Sequence, residues 1–170
     1  FMAGRTFSTD LPLQSSAGSY SQTTYSGGNN PPAGIGGDLF LAKFNSTGAM
    51  EWSTYYGGSR DDYLSDIDVD IIGNFYVTGQ TSSANFPNQV LAGAYNQPFN
   101  NNQKAYILKF NNAGVRLWAT SYGGNLGEKG NVIISDINGN VYLTGTTWST
   151  NLPLLNPGCG GYFQPVKGGA

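Results

Sequence analysis

The stretch WSTYYGG, at residues 52–58, returns as WATSYGG at residues 118–124. The offset of 66 residues holds over a whole unit, because the two copies align without a gap. The opening FMAGRTFSTDLP, residues 1–12, is the tail of a further copy. The aligned pairs include Phe44 with Phe110, Trp52 with Trp118, Asp70 with Asp136, Gly79 with Gly145 and Pro87 with Pro153. A fixed internal period indicates an architecture built from repeated structural units.

Each complete unit contains four runs that are typical of β-strands. In the second unit they are DLFLAKF, AMEWSTYY, SDIDVD and NFYVTGQT, and in the third KAYILKF, VRLWATSY, NVIISD and NVYLTGTT. Most of these runs alternate apolar with polar or small residues, and turn segments such as NSTG, IIGN, NNAG and INGN separate them. The pattern predicts an all-β chain. Four-stranded antiparallel sheets that repeat at a fixed period are typical of the blades of a β-propeller.

Residues of the second unit follow the order AKFN–G–W–T–YGG–DD–D–GN–YVTG–T–S–FP, which ends at Pro87. These residues carry a resemblance to the bacterial beta-propeller repeats known as SBBP repeats. The resemblance covers both complete units and, weakly, the N-terminal copy. It implies a propeller fold within an exported bacterial protein, often large and located at the cell surface. It implies no catalytic residues.

The DxxGNxYV hairpin also resembles the two inner strands of other bacterial propellers. On that analogy SDIDVD is the innermost strand a, NFYVTGQT is b, KAYILKF is c and VRLWATSY is d. The chain then runs b-c-d, a-b-c-d, a-b, which is a single propeller segment of a little over two blades. Residues 1–37 are the end of a first unit plus a long linker, residues 38–103 the second unit and residues 104–170 the third.

Nine strands cannot close a ring of four or more full blades. An end blade standing alone would expose an apolar face, and several hundred Å² of such surface costs on the order of 10 kcal/mol at ~25 cal/mol per Å². That equals the stability of a typical domain. We therefore expect a larger ring, with seven blades as one option. The expected partners are the remaining blades of a parent chain or other copies of this one.

The composition excludes several classes of function. Charged residues make up 11% of the chain and the net charge is −2, so no nucleic-acid partner is expected. Histidine, the most common general base and zinc ligand, is absent. The single cysteine, Cys159, excludes an intrachain disulfide. No run of 18 apolar residues occurs, and we expect no membrane span.

The second unit is acidic where the third is not. Asp66 and Asp68 stand where the third unit has Val132 and Ile134. The acidic residues of this stretch are Asp61, Asp62, Asp66, Asp68 and Asp70. Because like charges repel, a cation or a basic ligand could stabilise them. The alternatives are carboxylates solvated at the channel wall or blade mouth, and a carboxylate pair that hydrolyses glycosides.

The connections between strands b and c are long and follow a template of their own. GSYSQ, GAYNQP and GGYFQP recur in them and contain Tyr20, Tyr95 and Tyr162. Trp148 replaces Ser82 of the previous unit where the last linker begins. Aromatic rings beside amide side chains suit contacts with sugars or peptides. The alternative is that these rings pin the linkers onto the blades.

Residues present in both units are expected to serve the fold. Trp52 and its copy should fill the packing between blades. The pair Gly57–Gly58 and its copy should let the chain turn sharply between blades. Asp70 and its copy precede the turn between strands a and b, and should accept backbone hydrogen bonds there.

These features favour a non-enzymatic β-propeller scaffold or adhesion module of a secreted bacterial protein, extracellular or at the cell surface, that contacts protein or carbohydrate. One alternative is a polysaccharide-acting enzyme, and another is a calcium-stabilised spacer. No catalytic residue, metal ligand or cofactor is assigned. Calcium is the one ion considered, since DINGN at residues 136–140 begins like a calcium loop but lacks the downstream glutamate. The candidate ligand-binding residues are Asp61, Asp62, Asp66, Asp68, Tyr20, Tyr95, Trp148 and Tyr162.

Overall fold

Nine short strands form the regular structure of the described part of the chain. The computed structural model describes residues 1–28, 36–98 and 102–168. The strands are β1 (Met2–Thr6), β2 (Asp38–Phe44), β3 (Met50–Tyr56), β4 (Asp62–Val69), β5 (Phe75–Thr81), β6 (Lys104–Phe110), β7 (Arg116–Tyr122), β8 (Glu128–Ser135) and β9 (Val141–Thr147). The all-β prediction is confirmed. Within these residues there is no helix of the length and apolarity needed to cross a bilayer.

The strands pair antiparallel in three sheets, ordered β1-β2-β3, β4-β5-β6-β7 and β8-β9. The b-c-d, a-b-c-d, a-b order predicted from the sequence is confirmed. In the middle sheet, β4 and β5 come from one sequence repeat, and β6 and β7 come from the next. The middle sheet lies between the other two, because β1 and β2 contact β4, while β8 contacts β4, β5 and β6.

Glycines at the hairpin turns supply the backbone conformation that the turns require. Gly73 and Gly139, in the β4–β5 and β8–β9 hairpins, have φ of +85° and +79°. Gly48 and Gly114, in the β2–β3 and β6–β7 hairpins, have φ of +83° and +77°. Other residues reach this left-handed region only at a cost. The turn signals read from the sequence are confirmed.

An aromatic core joins the first sheet to the middle sheet. The Trp52 ring of β3 is 1% exposed, and its centroid lies 5.9 Å from that of Phe75 and 5.7 Å from that of Phe110. Its indole N–H donates to the carbonyl of Tyr20 at 2.9 Å. Trp52 therefore fills the packing between two blades, as predicted. Trp118 of β7 is only partly buried, and its indole N–H has no acceptor within the described ranges.

The pair Gly57–Gly58 connects β3 to β4. A Cβ on Gly57 would lie 2.6 Å from a carboxyl oxygen of Asp38 and 2.8 Å from one of Asp62. A Cβ on Gly58 would lie 2.6 Å from the Cβ of Ser83. Neither glycine is among the described glycines with positive φ. Lack of room, rather than the conformational freedom expected from the sequence, explains why glycine occupies these positions.

Candidate functional site

The aspartates that precede the two a–b turns hold those turns closed. Asp70 Oδ1 accepts the backbone N–H groups of Ile72 and Asn74 at 3.1 and 2.8 Å. Asp136 Oδ1 accepts those of Asn138 and Asn140 at 2.9 and 2.8 Å. The predicted role of both aspartates as backbone acceptors is confirmed.

Hydrogen bonding also sets the charge state of these two carboxyls. Desolvation is the largest single effect and raises the pKa of Asp70, but the hydrogen bonds from Asn74, Tyr76 and Ile72 together outweigh it and lower the pKa from its usual 3.8. At Asp136, the side-chain hydrogen bond from Asn140 lowers the pKa in the same direction. Both groups are therefore ionised at neutral pH, and each Oδ2 is also engaged by an amide and a tyrosine hydroxyl.

Asp66 and Asp68 link the middle sheet to the third sheet. Asp66 Oδ2 accepts the backbone N–H of Ile133 at 2.9 Å. Asp68 Oδ2 accepts the backbone N–H of Ser135 at 2.7 Å and its hydroxyl at 2.5 Å. Charged acceptors make comparatively strong hydrogen bonds with backbone donors. The two carboxylates therefore hold the inner strands β4 and β8 together by hydrogen bonds. We refer to Asp66 and Asp68 as the latches between these two strands.

Asp61 and Asp62 are adjacent in sequence but point to different surroundings. Asp61 forms an ion pair with Arg5 of β1 and accepts the backbone N–H of Gly37 at 3.2 Å. Asp62 is completely buried, and its Oδ2 accepts the N–H of Gly58 at 2.7 Å and the hydroxyl of Ser83 at 3.0 Å.

The structure therefore separates the acidic stretch into distinct environments. Asp61 directly precedes β4 and Asp62 is its first residue, Asp66 and Asp68 contact β8, and Asp70 lies in the turn. In residues 1–28, 36–98 and 102–168, no three acidic, histidine or cysteine side chains are grouped so as to hold a metal ion.

The GxYxQ template fixes the first two linkers to the strands that they cross. The Tyr20 ring lies 5.0 Å from the Tyr56 ring and 4.6 Å from the Arg116 guanidinium. Gln22 Oε1 accepts the N–H of Gly57 at 3.2 Å. These contacts attach the first linker to the end of the d strand β3 and to Arg116 of β7 in the middle sheet.

The second linker repeats the arrangement. The Tyr95 ring lies 5.7 Å from the Tyr122 ring, and Gln97 Oε1 accepts the N–H of Gly123 at 2.8 Å. In each linker the tyrosine hydroxyl donates to the glutamine Oε1 two residues on, at 3.1 to 3.2 Å. For Tyr20 and Tyr95, the contacts match the alternative in which the rings pin the linkers to the blades.

In the third linker, Tyr162 of the template and Trp148 at the start of the linker have exposed side chains. Tyr162 is 88% exposed and Trp148 is 52% exposed. The Trp148 carbonyl accepts Lys167 Nζ at 3.4 Å, and Gln164 Nε2 donates to the carbonyl of Val166 at 2.9 Å. The end of β9 and the linker segment 164–168 border a shallow groove. Among the candidate ligand-binding residues, Trp148 and Tyr162 are the most exposed.

Three further charged residues lie at the blade junctions, and the sequence reasoning missed them. Asp38 and Lys104 are the first residues of β2 and β6, and Glu128 is the first residue of β8. All three are buried. The signal that could have found them is the repeat itself, because a 66-residue offset exchanges Asp38 for Lys104 and Asp62 for Glu128.

Three antiparallel sheets, each packed against the next and joined through d-to-a turns, define a segment of a β-propeller. Residues 51–87 and 117–153 match the family model described as SBBP, a beta-propeller repeat. Two segments of the chain, one in each complete repeat unit, therefore match the SBBP beta-propeller repeat. No curated protein matches the chain.

Proposed function

We propose that this propeller segment is a non-enzymatic scaffold or adhesion module that works at the outer surface of a bacterial cell. Its linkers contact carbohydrate or the surface of another protein. The observation that carries the proposal is the pair of exposed rings, Trp148 and Tyr162, on a linker whose earlier copies are tied to the blades. Aromatic side chains offer a large contact area at low cost in conformational entropy, because they have only two side-chain torsion angles to fix.

The chemistry of the linker surface suits sugars in particular. Amide side chains such as Gln164 and Asn156 accompany the exposed rings, and charged residues are few. Sugars offer apolar faces that stack on aromatic rings and hydroxyls that pair with amides. The hydrogen bonds that occupy Asp66 and Asp68 further support a binding role over hydrolysis, because both carboxylates serve the blade interface.

Binding of the purified chain to an array of immobilised glycans tests this proposal. Trp148→Ala and Tyr162→Ala should each reduce binding at least tenfold and leave the melting temperature unchanged, because both side chains are exposed. Val90→Ala, an exposed apolar residue of the second linker, is the matched control. The proposal would be contradicted if a ligand bound the wild type and all three alanine variants equally. It would also be contradicted if the chain bound neither a glycan nor a protein.

The same proposal includes partners for the outer sheets. Val132, Ile134 and Tyr142 on β8 and β9 are each about half exposed. We propose that further blades, from the parent chain or from other copies, cover this face. Sedimentation of the purified chain should therefore reveal concentration-dependent association. A cooperative 18 kDa monomer at every concentration would contradict this part of the proposal.

A further inference from the structure

The two junctions between successive blades have one plan but opposite charge chemistry. In each junction a glycine pair connects strand d of one blade to strand a of the next. Two side chains flank the glycine pair: one is the first residue of strand c, and the other is the first residue of the following strand a. At the junction around Gly57 the flanking residues are Asp38 and Asp62. At the junction around Gly123 they are Lys104 and Glu128.

The second junction carries its own counter-ion. Lys104 Nζ lies 3.8 Å from Glu128 Oε2, with both side chains nearly inaccessible to solvent, and it donates to the carbonyl of Gly124. Burial lowers the pKa of Lys104, and the nearby Glu128 opposes this effect. Glu128 Oε1 accepts the hydroxyl of Thr147 at 3.0 Å. The paired charges compensate one another in the interior.

The first junction has two acids and no counter-ion. Asp38 and Asp62 are both 0% exposed. Asp38 Oδ1 and Asp62 Oδ2 lie 2.6 and 2.8 Å from one point, the Cβ position of Gly57. In each carboxyl, Oδ1 is buried and has no hydrogen-bond partner of normal geometry. Within the described ranges no lysine or arginine forms an ion pair with either residue.

The neighbouring cation Arg116 is directed at other partners: its guanidinium lies 4.6 Å from the Tyr20 ring and donates to the Tyr56 hydroxyl at 3.2 Å, and within the described ranges it forms no ion pair with Asp38 or Asp62. Tyr20 and Tyr25 face Asp38, and Tyr56 and Tyr106 face Asp62. Desolvation raises the pKa of all four tyrosines, so they remain neutral at physiological pH. The nearest cationic side chain of β1, Arg5, is paired with Asp61.

Burial accordingly makes ionisation of the pair unfavourable. It raises the pKa of Asp38 to about 6, against hydrogen bonds from the N–H groups of Ser26 and Gly27. Burial also raises the pKa of Asp62 to about 7, and the hydroxyl of Thr81 and the amide of Gly58 oppose this only in part. Two buried like charges require either protons or a cation.

We propose that Asp38 and Asp62 bind a hard divalent cation, Ca²⁺, beneath the Gly57–Gly58 turn. At this junction the ion would have the role that the ammonium group of Lys104 has at the next junction. Two carboxylates neutralise a divalent ion, and Ca²⁺ accepts carboxylate and carbonyl oxygens in irregular geometry. The carbonyl of Gly58 is the repeat equivalent of the Gly124 carbonyl that Lys104 contacts. The site locks two blades together and is independent of what the linkers bind.

Calorimetric titration and thermal melting of the metal-stripped chain test the proposal with Ca²⁺ as the probe. Titration should give one site per chain, and saturating Ca²⁺ should raise the melting temperature by about 5 °C or more. Mg²⁺ and Na⁺ should have smaller effects. The Ca²⁺-dependent gain should grow from pH 5 to pH 8, because both carboxyls must lose their protons to bind the ion.

Two double variants test whether the Ca²⁺ response arises at Asp38 and Asp62. Asp38→Asn with Asp62→Asn should abolish the Ca²⁺ response, because the amides are near-isosteric and uncharged. Asp38→Lys with Asp62→Glu rebuilds the ion pair of the other junction, and should fold without Ca²⁺ and ignore it. The matched control, Asp68→Asn, should retain the full Ca²⁺-induced shift.

Three outcomes would overturn the proposal. Wild-type protein that neither binds Ca²⁺ nor melts at a higher temperature in its presence would show that the pair shares protons instead. A Ca²⁺ response that persists in the double asparagine variant would place the ion elsewhere. If Asp68→Asn lost the Ca²⁺-induced rise in melting temperature as fully as the double asparagine variant, the Ca²⁺ response would depend on the latches and not on the Asp38–Asp62 junction.

Discussion

Strands β5 and β9 have nearly the same sequence but very different surroundings. FYVTGQT in β5 corresponds residue for residue to VYLTGTT in β9. Six of the seven residues of β5 are buried, whereas no residue of β9 is fully buried. The difference teaches that the burial of a blade strand is supplied by the neighbouring sheets and not by its own sequence.

The neighbours of β5 can be named. Phe75 stacks on Phe110 at 4.9 Å and on Phe1 at 4.4 Å, and Trp52 meets it edge to face. The equivalent residue of β9, Val141, has no such cover within the described ranges. Aromatic pairs add to the stabilisation that burial itself provides.

The largest expected effect comes from truncating the same position in both strands. Phe75→Ala should lower the free energy of unfolding by about 3 to 5 kcal/mol, because it removes a buried ring from a packed cluster. Val141→Ala should cost less than about 1 kcal/mol, because its site is partly solvated. Urea denaturation of both variants measures the difference. Equal costs would mean that β9 is covered in solution, and the contrast between the strands would fail.

An intermediate effect is expected at the latches. Asp68→Ala should lower the free energy of unfolding by about 1 to 3 kcal/mol, because the amide and hydroxyl of Ser135 lose their charged acceptor. Its repeat equivalent, Ile134→Ala, should change it by about 0.5 kcal/mol or less. Denaturant melts of the two variants sharpen the comparison. A neutral Asp68→Ala would show that β4 and β8 are held together by packing alone.

The smallest effect, equal in the two repeats, is expected at the hairpin turns. Asp70→Ala and Asp136→Ala should each lower the melting temperature slightly, because their hydrogen bonds lie within one hairpin and do not depend on neighbouring blades. The pKa of each carboxyl is lowered in the fold, so its contribution is present above pH 3.8 and is lost as the pH falls through the folded pKa.

Carboxyl NMR titration and melting curves between pH 2 and pH 6 measure this contribution. Each alanine variant should lack part of the acid-induced loss of stability that the wild type shows. A much larger effect at Asp70 than at Asp136 would indicate that the turn depends on the adjoining blade.

Much of the fold could be predicted because its determinants are local and periodic. The alternation of each strand, the glycine at positive φ in each hairpin and the acceptor role of Asp70 depend on residues close in sequence. The 66-residue period indicated repeated blades, and the resemblance of the DxxGNxYV hairpin to the inner strands of other propellers indicated which strands share a blade. The packing role of Trp52 followed because a large aromatic residue repeated at one position has few other uses.

The sites were harder to predict because they join residues from different blades. Asp66 and Asp68 look like a repelling cluster in sequence, but their partners are backbone amides of β8, 67 residues away. Because every residue except proline has a backbone N–H, the sequence does not indicate which amides these carboxylates will contact. The burial of Asp38 beside Asp62 likewise depends on how two sheets approach each other around Gly57.

By itself the sequence determined the strands, their turns and their grouping into propeller blades, because hydrophobic alternation and turn chemistry act over a few residues and recur with the repeat. Only the tertiary structure decided which copies of a strand are buried, which carboxylates meet amides and which meet each other. Burial and charge pairing arise between sheets, and the same residues therefore behave differently at each blade of the chain.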